Sequence, residues 1–195
     1  MTTTTISHSE SFRAGKALGL DHRKLGMWLF LATEVMLFGG LLTAFLHTKL
    51  RQPGLSVTAE SLLLVGLNTF VLVTSSFMVA QALDAARRDL KGRLRLYLLA
   101  TAALGAVFLA GQAYEFSLLA QEGLTLTGSL FGSAFFTLTG THGLHVLIGV
   151  AWALASLLGA LRRRGLSPIR VEIFGLYWHF VDIVWLVLFT VIYLV

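Results

Sequence analysis

Residues 28–40 read WLFLATEVMLFGG, and eleven of these thirteen letters suit a membrane-spanning helix. Thr33 is compatible with that reading, because a hydroxyl can bond back to its own helix. Glu34 is not. It sits near the middle of an apolar run that begins at Leu25 and ends near Phe45. An unpaired carboxylate at that depth is costly, so it calls for a proton or a partner. The stretch therefore carries two expectations: a span, and a polar group facing Glu34 from another span.

The rest of the chain repeats the pattern. It has 195 residues, 56% hydrophobic and 13% charged, with a mean hydropathy of +0.78. That composition leaves too little polar surface for a water-soluble domain. Five apolar runs, at about 25–47, 61–83, 95–119, 129–161 and 171–195, are each long enough to cross ~30 Å of hydrocarbon as a helix. The fourth is over-long, which predicts tilt or extension past the bilayer. Backbone groups in lipid must be satisfied within the segment, and the short alternating segments of a β-barrel are absent from the sequence. The predicted fold class is all-α: an integral membrane bundle of five transmembrane helices. Residues 1–20, polar and without the apolar core of a signal peptide, are expected to form a mobile cytoplasmic tail. Residues 21–195 are expected to form one five-helix domain.

Lysine and arginine orient the bundle. Arg13, Lys16, Arg23 and Lys24 precede the first span. Arg87, Arg88, Lys91, Arg93 and Arg95 lie between the second and third, and Arg162, Arg163, Arg164 and Arg170 between the fourth and fifth. The opposite connections hold only Lys49 and Arg51. The positive-inside rule then places the N-terminus in the cytoplasm and the C-terminus outside. It also accounts for a pI near 10.0 without nucleic acid. Arg87, Arg88, Arg93, Arg162, Arg163 and Arg164 are candidates for contact with lipid headgroups or another subunit. The absence of cysteine excludes disulfides and thiolate metal sites.

Glu34 has company within the spans. GQAYEF carries Glu115, THGLHVLIG carries His142 and His145, and EIFGLYWHFVDIVW carries Glu172, His179 and Asp182. At a rise of ~1.5 Å per residue, Glu34 lies ~13 Å and His179 ~12 Å from the cytoplasmic edge, with Asp182 ~4.5 Å deeper. Counted from the other side, His142 and His145 fall ~12 and ~8 Å from the same edge. The common depth predicts one shared polar cluster of Glu34, His142, His145, His179 and Asp182, with His142 and Asp182 as preferred partners of Glu34. Three chemistries fit such a cluster: hydrogen bonds that hold helices together, proton handling, and metal ligation. The third is disfavoured, because the repeated Glu-x-x-His pairs of a di-iron bundle do not occur.

Other features have structural readings. Gly39 with Thr43, Gly40 with Ala44, and Gly149 with Ala153 are small-xxx-small pairs that predict close helix contact. In NTFVLVTSS the hydroxyls of Thr69, Thr74, Ser75 and Ser76 are expected to bond within their own helix. Asn68 is expected to reach a neighbouring helix. Trp28 and Tyr193 read as anchors at the membrane interface. In RQPGLSVTAES the Pro-Gly pair marks a turn, with Thr58 or Ser61 placed to cap the second helix.

ATEVMLFGG, LNTFVLVTSSFMVAQAL, GQAYEF, THGLHVLIGV and YWHFVDIVWLVLFTVIYL together resemble subunit III of the haem–copper oxidases, above all cytochrome c oxidase. They occur in the family's order, and the resemblance runs from about Asp21 to Val195. It implies a non-catalytic subunit that binds no haem or copper; those belong to subunits I and II. It implies packing on subunit I, contact with subunit II and a small subunit IV, bound phospholipid, protection of the enzyme during turnover, and support of proton uptake. Residue by residue, Glu34 matches the family's membrane carboxylate, His142 and His145 its fourth-span motif here, His179 and Asp182 its fifth-span motif, and Glu115 its QAYEF glutamate. Asn68, Glu115 and Glu172 are secondary polar candidates. Many members have seven spans; five-span forms occur among bacterial oxidases, which implies the bacterial cytoplasmic membrane. A quinol oxidase and an accessory role in nitric oxide reductase are the neighbouring alternatives. Two further classes are a stand-alone proton-coupled carrier using Glu34 and Asp182, which should show inverted repeats, and an intramembrane metalloenzyme using His142, His145 and His179.

Overall fold

The structure is a computed structural model and describes residues 21–51, 59–162 and 166–194. The expected tail at 1–20, the turn with Thr58, the side chain of Ser61, and Arg163 and Arg164 lie outside the described residues. The described residues form five long helices and no strand. They are α1 (His22–Arg51), α2 (Ala59–Arg87), α3 (Lys91–Gln121), α4 (Leu130–Leu161) and α5 (Pro168–Phe189), the last continuing into a π-helical turn, Thr190–Leu194. All five are long and apolar enough to cross a membrane. Most helices overrun the apolar runs, because nothing in a charged end forbids helix. The 32 residues of α4 extend ~48 Å at ~1.5 Å per residue, more than a ~30 Å hydrocarbon core.

Helix ends follow local chemistry. Ser129 caps α4, its Oγ accepting from Gly132 N at 3.0 Å, and Pro168 opens α5 where a missing N–H is harmless. The C-termini of α2 and α3 close in the same way. Leu90 N donates to Ala85 O at 2.9 Å and Leu124 N to Leu119 O at 2.9 Å, which is the Schellman pattern. That pattern puts one residue in the left-handed region. After α3 it is Gly123 (φ 86°); after α2 it is Asp89 (φ 53°).

Among the packed pairs, α5 lies against α1, α2 and α4, and α3 lies between α2 and α4. The side of α1 turned inward is Lys24, Met27, Leu31, Glu34, Phe38, Leu41, Phe45 and Thr48. Spacings of three and four alternate along it, the seam of a left-handed helix pair. The largest residue at the centre is Trp178 on α5, fully buried. A β-carbon at Gly149 would lie 2.5 Å from its ring and one at Gly105 2.8 Å, so two glycines admit one indole. Trp178 Nε1 donates to Ser75 Oγ on α2 at 2.9 Å, and Trp185 Nε1 to Thr69 Oγ1 at 2.9 Å.

Several expectations are corrected here. Gly149 and Ala153 are buried, but Gly39, Thr43, Gly40 and Ala44 are exposed. The first span meets its neighbours through its large seam residues, so its small ones face outward. Trp28 is 58% exposed, as an anchor should be, whereas Tyr193 is buried because the π-helical turn swings it under α3.

Candidate functional site

Four of the five groups expected in one cluster, Glu34, His145, His179 and Asp182, divide into two hydrogen-bonded sets. In the first, His145 Nε2 lies 3.1 Å from Glu34 Oε2, joining α1 to α4. His145 Nδ1 lies 2.8 Å from the carbonyl of Thr141 in its own helix. A carbonyl only accepts, so Nδ1 carries a proton. The Nε2 contact with Glu34 therefore needs one further proton, held either by the carboxyl or by the ring. Tyr177 OH donates to the His145 carbonyl at 2.9 Å, and the Phe38 ring packs edge-on, 5.1 Å from the imidazole.

In the second set, Ser76 Oγ on α2 donates to Asp182 Oδ2 on α5 and lies 2.9 Å from His179 Nδ1. With the hydroxyl proton given to the carboxylate, Nδ1 of His179 is the donor to Ser76. Among the described residues no hydrogen bond joins this set to Glu34.

His142 belongs to neither set. Its Nε2 lies 3.2 Å from the Val181 carbonyl, and its ring is enclosed by Trp185, Phe108 and Phe38 at centroid distances of 4.8, 5.8 and 6.5 Å. The expected pairing of Glu34 with His142 or Asp182 is thus replaced by pairing with His145. Two histidines three residues apart on α4 share a broad face, and α1 and α5 divide it between them. His142 Nδ1 and Asp182 Oδ1 are buried without a partner among the described residues.

The secondary candidates lie nearer the helix ends. Glu172 receives Lys24 Nζ of α1 at 2.7 Å and faces Arg87 of α2 at 3.9 Å. It ties three helix ends together. Glu115 accepts from Tyr193 OH, and near the same end Lys49 Nζ donates to the carbonyls of Val191 and Ile192 at 2.9 and 3.0 Å. Asn68 Nδ2 donates to the Phe108 carbonyl across the α2–α3 contact at 3.0 Å. Arg88 pairs with Asp84 one turn earlier at 3.0 Å. Arg93 and Arg162 are exposed. Among the described residues no group of three His, Cys, Asp or Glu side chains could hold a metal ion. His142, His145 and His179 each point to a different partner.

The family model described as "Cytochrome c oxidase subunit III" matches residues 6–195. The chain belongs to the cytochrome c oxidase subunit III family. It is 41% identical to "Cytochrome c oxidase subunit 3" of Bacillus subtilis over 176 residues, covering 87% of this chain and 84% of that protein. It is equally 41% identical to "Quinol oxidase subunit 3" of the same organism over 177 residues, covering 87% and 85%. A third relative, "Cytochrome c oxidase subunit 3" of Synechocystis sp., is 41% identical over 207 residues, covering 100% of this chain and 87% of the relative. As a member of this family the chain is a multi-pass membrane protein and an accessory subunit of an oxidoreductase complex, with oxidase subunits as its partners.

Sequence reasoning missed how this chain uses its hydroxyls. Thr69 and Ser75 do donate to their own helix, to Val65 O at 2.8 Å and Leu72 O at 2.5 Å. Their oxygens then accept a tryptophan N–H from α5, since a hydroxyl has one proton to give and two lone pairs. Ser76 instead gives its proton across the helix boundary to Asp182. Gln112, whose Nε2 donates to the Thr139 carbonyl at 2.8 Å, was also passed over. The available signal was that Ser75 and Ser76 are adjacent, so they point to different sides of α2 and cannot share one role.

Proposed function

We propose that this chain is subunit III of a proton-pumping cytochrome c oxidase in the bacterial cytoplasmic membrane. It packs on subunit I near subunit II and a small subunit IV, stabilises the catalytic subunit during turnover, and supports proton uptake. The observation that carries this reading is what the polar groups inside the spans do: Glu34, His145, Ser76, His179, Asp182 and Glu115 join helix to helix. The Glu34–His145 bond, with its one shared proton, is the group suited to proton exchange.

Phospholipid has a natural seat in a groove of about 530 Å³ where α4 ends and α5 begins. Trp152, Leu158 and Leu166 give it apolar walls, and Arg162 and Arg170 lie at its rim. Alkyl chains suit the walls, and guanidinium groups suit a phosphate. Haem and copper are assigned to the partner subunits.

The test is an oxidase assembled without this chain. Its initial electron transfer from donor to oxygen should remain near that of the complete enzyme, while its activity should decay faster over repeated turnovers. An initial rate near zero in a correctly assembled enzyme would refute an accessory role. The matching identity to a quinol oxidase subunit 3 supports a second reading, in which the donor is a quinol. A two-copper site in the co-purified subunit II favours cytochrome c; a subunit II without it favours quinol.

A further inference from the structure

His179 sits midway along α5, twelve residues into the 168–194 span, ~16 Å from its start at ~1.5 Å per residue. It is only partly buried. Its Nδ1 is used by Ser76 at 2.9 Å. Its Nε2 has no partner among the described residues, yet it is not one of the side-chain atoms that are both enclosed and unpartnered, which are His142 Nδ1 and Asp182 Oδ1. That nitrogen therefore reaches the surface of the bundle at mid-membrane depth. Other surface polar groups of the spans behave differently. The exposed hydroxyls of Thr33, Thr43, Thr74 and Thr190 all bond back to their own helices.

The surface around Nε2 is a defined face. Both α1 and α2 pack on α5, and between them α5 leaves open a stripe of Leu176, His179, Phe180, Ile183 and Val187. At one end the stripe is closed by Lys24 and Arg87 converging on Glu172. Hydrocarbon offers an imidazole nitrogen nothing to bond, so a polar group at this depth belongs opposite protein. With Nδ1 committed as a donor, the neutral ring presents Nε2 as an acceptor.

We propose that this face of α5, between α1 and α2, is where a transmembrane helix of a partner oxidase subunit docks, with a hydrogen-bond donor of that helix meeting His179 Nε2. The inference rests on the assembly reading above, and adds which face is used and through which atom. The partner is a helix with a serine, threonine, tyrosine or similar donor at mid-depth, flanked by residues that fit against Ile183 and Val187.

The chain has no cysteine, so a single introduced thiol reports one position. In the purified oxidase complex, Ile183→Cys should react with a membrane-soluble maleimide roughly tenfold or more slowly than Val107→Cys, which lies on exposed α3 surface at a similar distance from its helix start. Equal rates at the two positions would overturn the proposal, since Ile183 would then face lipid. Three further variants separate docking from internal packing. His179→Phe should raise the rate at which the chain is stripped from the complex by detergent about five- to tenfold, the factor expected for one lost hydrogen bond. His179→Gln, whose amide can still meet a donor, should restore retention. Ser75→Ala removes an internal bond of the same helix pair, Trp178 Nε1 to Ser75 Oγ, without touching His179, and should leave retention near wild type. Stripping of Ser75→Ala as fast as His179→Phe, or of His179→Phe no faster than wild type, would overturn the proposal. Absence of the wild-type chain from a complex that contains the haem subunit would instead overturn the assembly reading, visible on a gel before any label is added.

Discussion

Both nitrogens of His145 are occupied, and that fixes what Glu34 can do. Nδ1 gives its proton to the Thr141 carbonyl, so Nε2 and the Glu34 carboxyl meet across 3.1 Å with one proton between them. Neutral acid with neutral ring, or carboxylate with imidazolium, both satisfy the contact and both leave the pair uncharged overall. With no such proton, two lone pairs would face each other. Glu34→Gln supplies an N–H donor to Nε2 without any charge and should keep α1 seated. Glu34→Ala leaves His145 Nε2 unsatisfied inside the bundle, a loss of about 1–3 kcal/mol. Heating the purified complex and following retention of this chain should show Glu34→Ala released at lower temperature than Glu34→Gln. Equal release would mean that the bond contributes nothing to the seam.

At the scale of elements, the helices are joined by the same closing motif in two chemistries. Gly123 enters the left-handed region without steric cost, but Asp89 enters it with a side chain. Aspartate tolerates that conformation because its short polar side chain can bond locally. A β-branched residue does not, and Asp89→Val should destabilise the α2–α3 turn by about 1–2 kcal/mol. Asp89→Gly should be no worse than wild type, since glycine is at ease there. Thermal unfolding of the two variants side by side checks the order, and a valine variant as stable as the glycine variant would contradict it. The outward small residues of α1, Gly39, Gly40, Thr43 and Ala44, belong to the same scale: a pattern that suits close contact lies on a helix side that the described residues do not cover.

For the whole molecule, the basic segments gather at one end. Lys24 and Arg87 meet at Glu172, and Arg95 Nε donates to the Ala160 carbonyl at 3.2 Å, bringing the start of α3 to the end of α4. Their common end makes a single orientation consistent for every crossing, and the positive-inside rule predicts that this end is the cytoplasmic one. In intact cells, a membrane-impermeant maleimide should leave Arg88→Cys unlabelled and should label Leu126→Cys in the α3–α4 connection. Labelling of Arg88→Cys from outside would invert the topology.

Hydropathy runs of this length determine by themselves that the chain forms five membrane helices, because a backbone in lipid has no other way to satisfy its hydrogen bonds over so many residues. The basic segments were equally legible, since charge at a span end is read one segment at a time. The need of Glu34 for a partner could also be read from its own position. Its choice of partner could not. His142 and His145 differ by three residues on one helix, and only the placing of α1 and α5 around α4 gives the carboxyl to His145 and the Val181 carbonyl to His142. The hydroxyls of Ser75 and Ser76 were likewise ambiguous, because a serine oxygen bonds its own helix and its neighbour with equal ease. Tertiary packing assigned Ser75 to Trp178 and Ser76 to Asp182. The sequence states which groups must be satisfied; the angular order of the helices decides by whom.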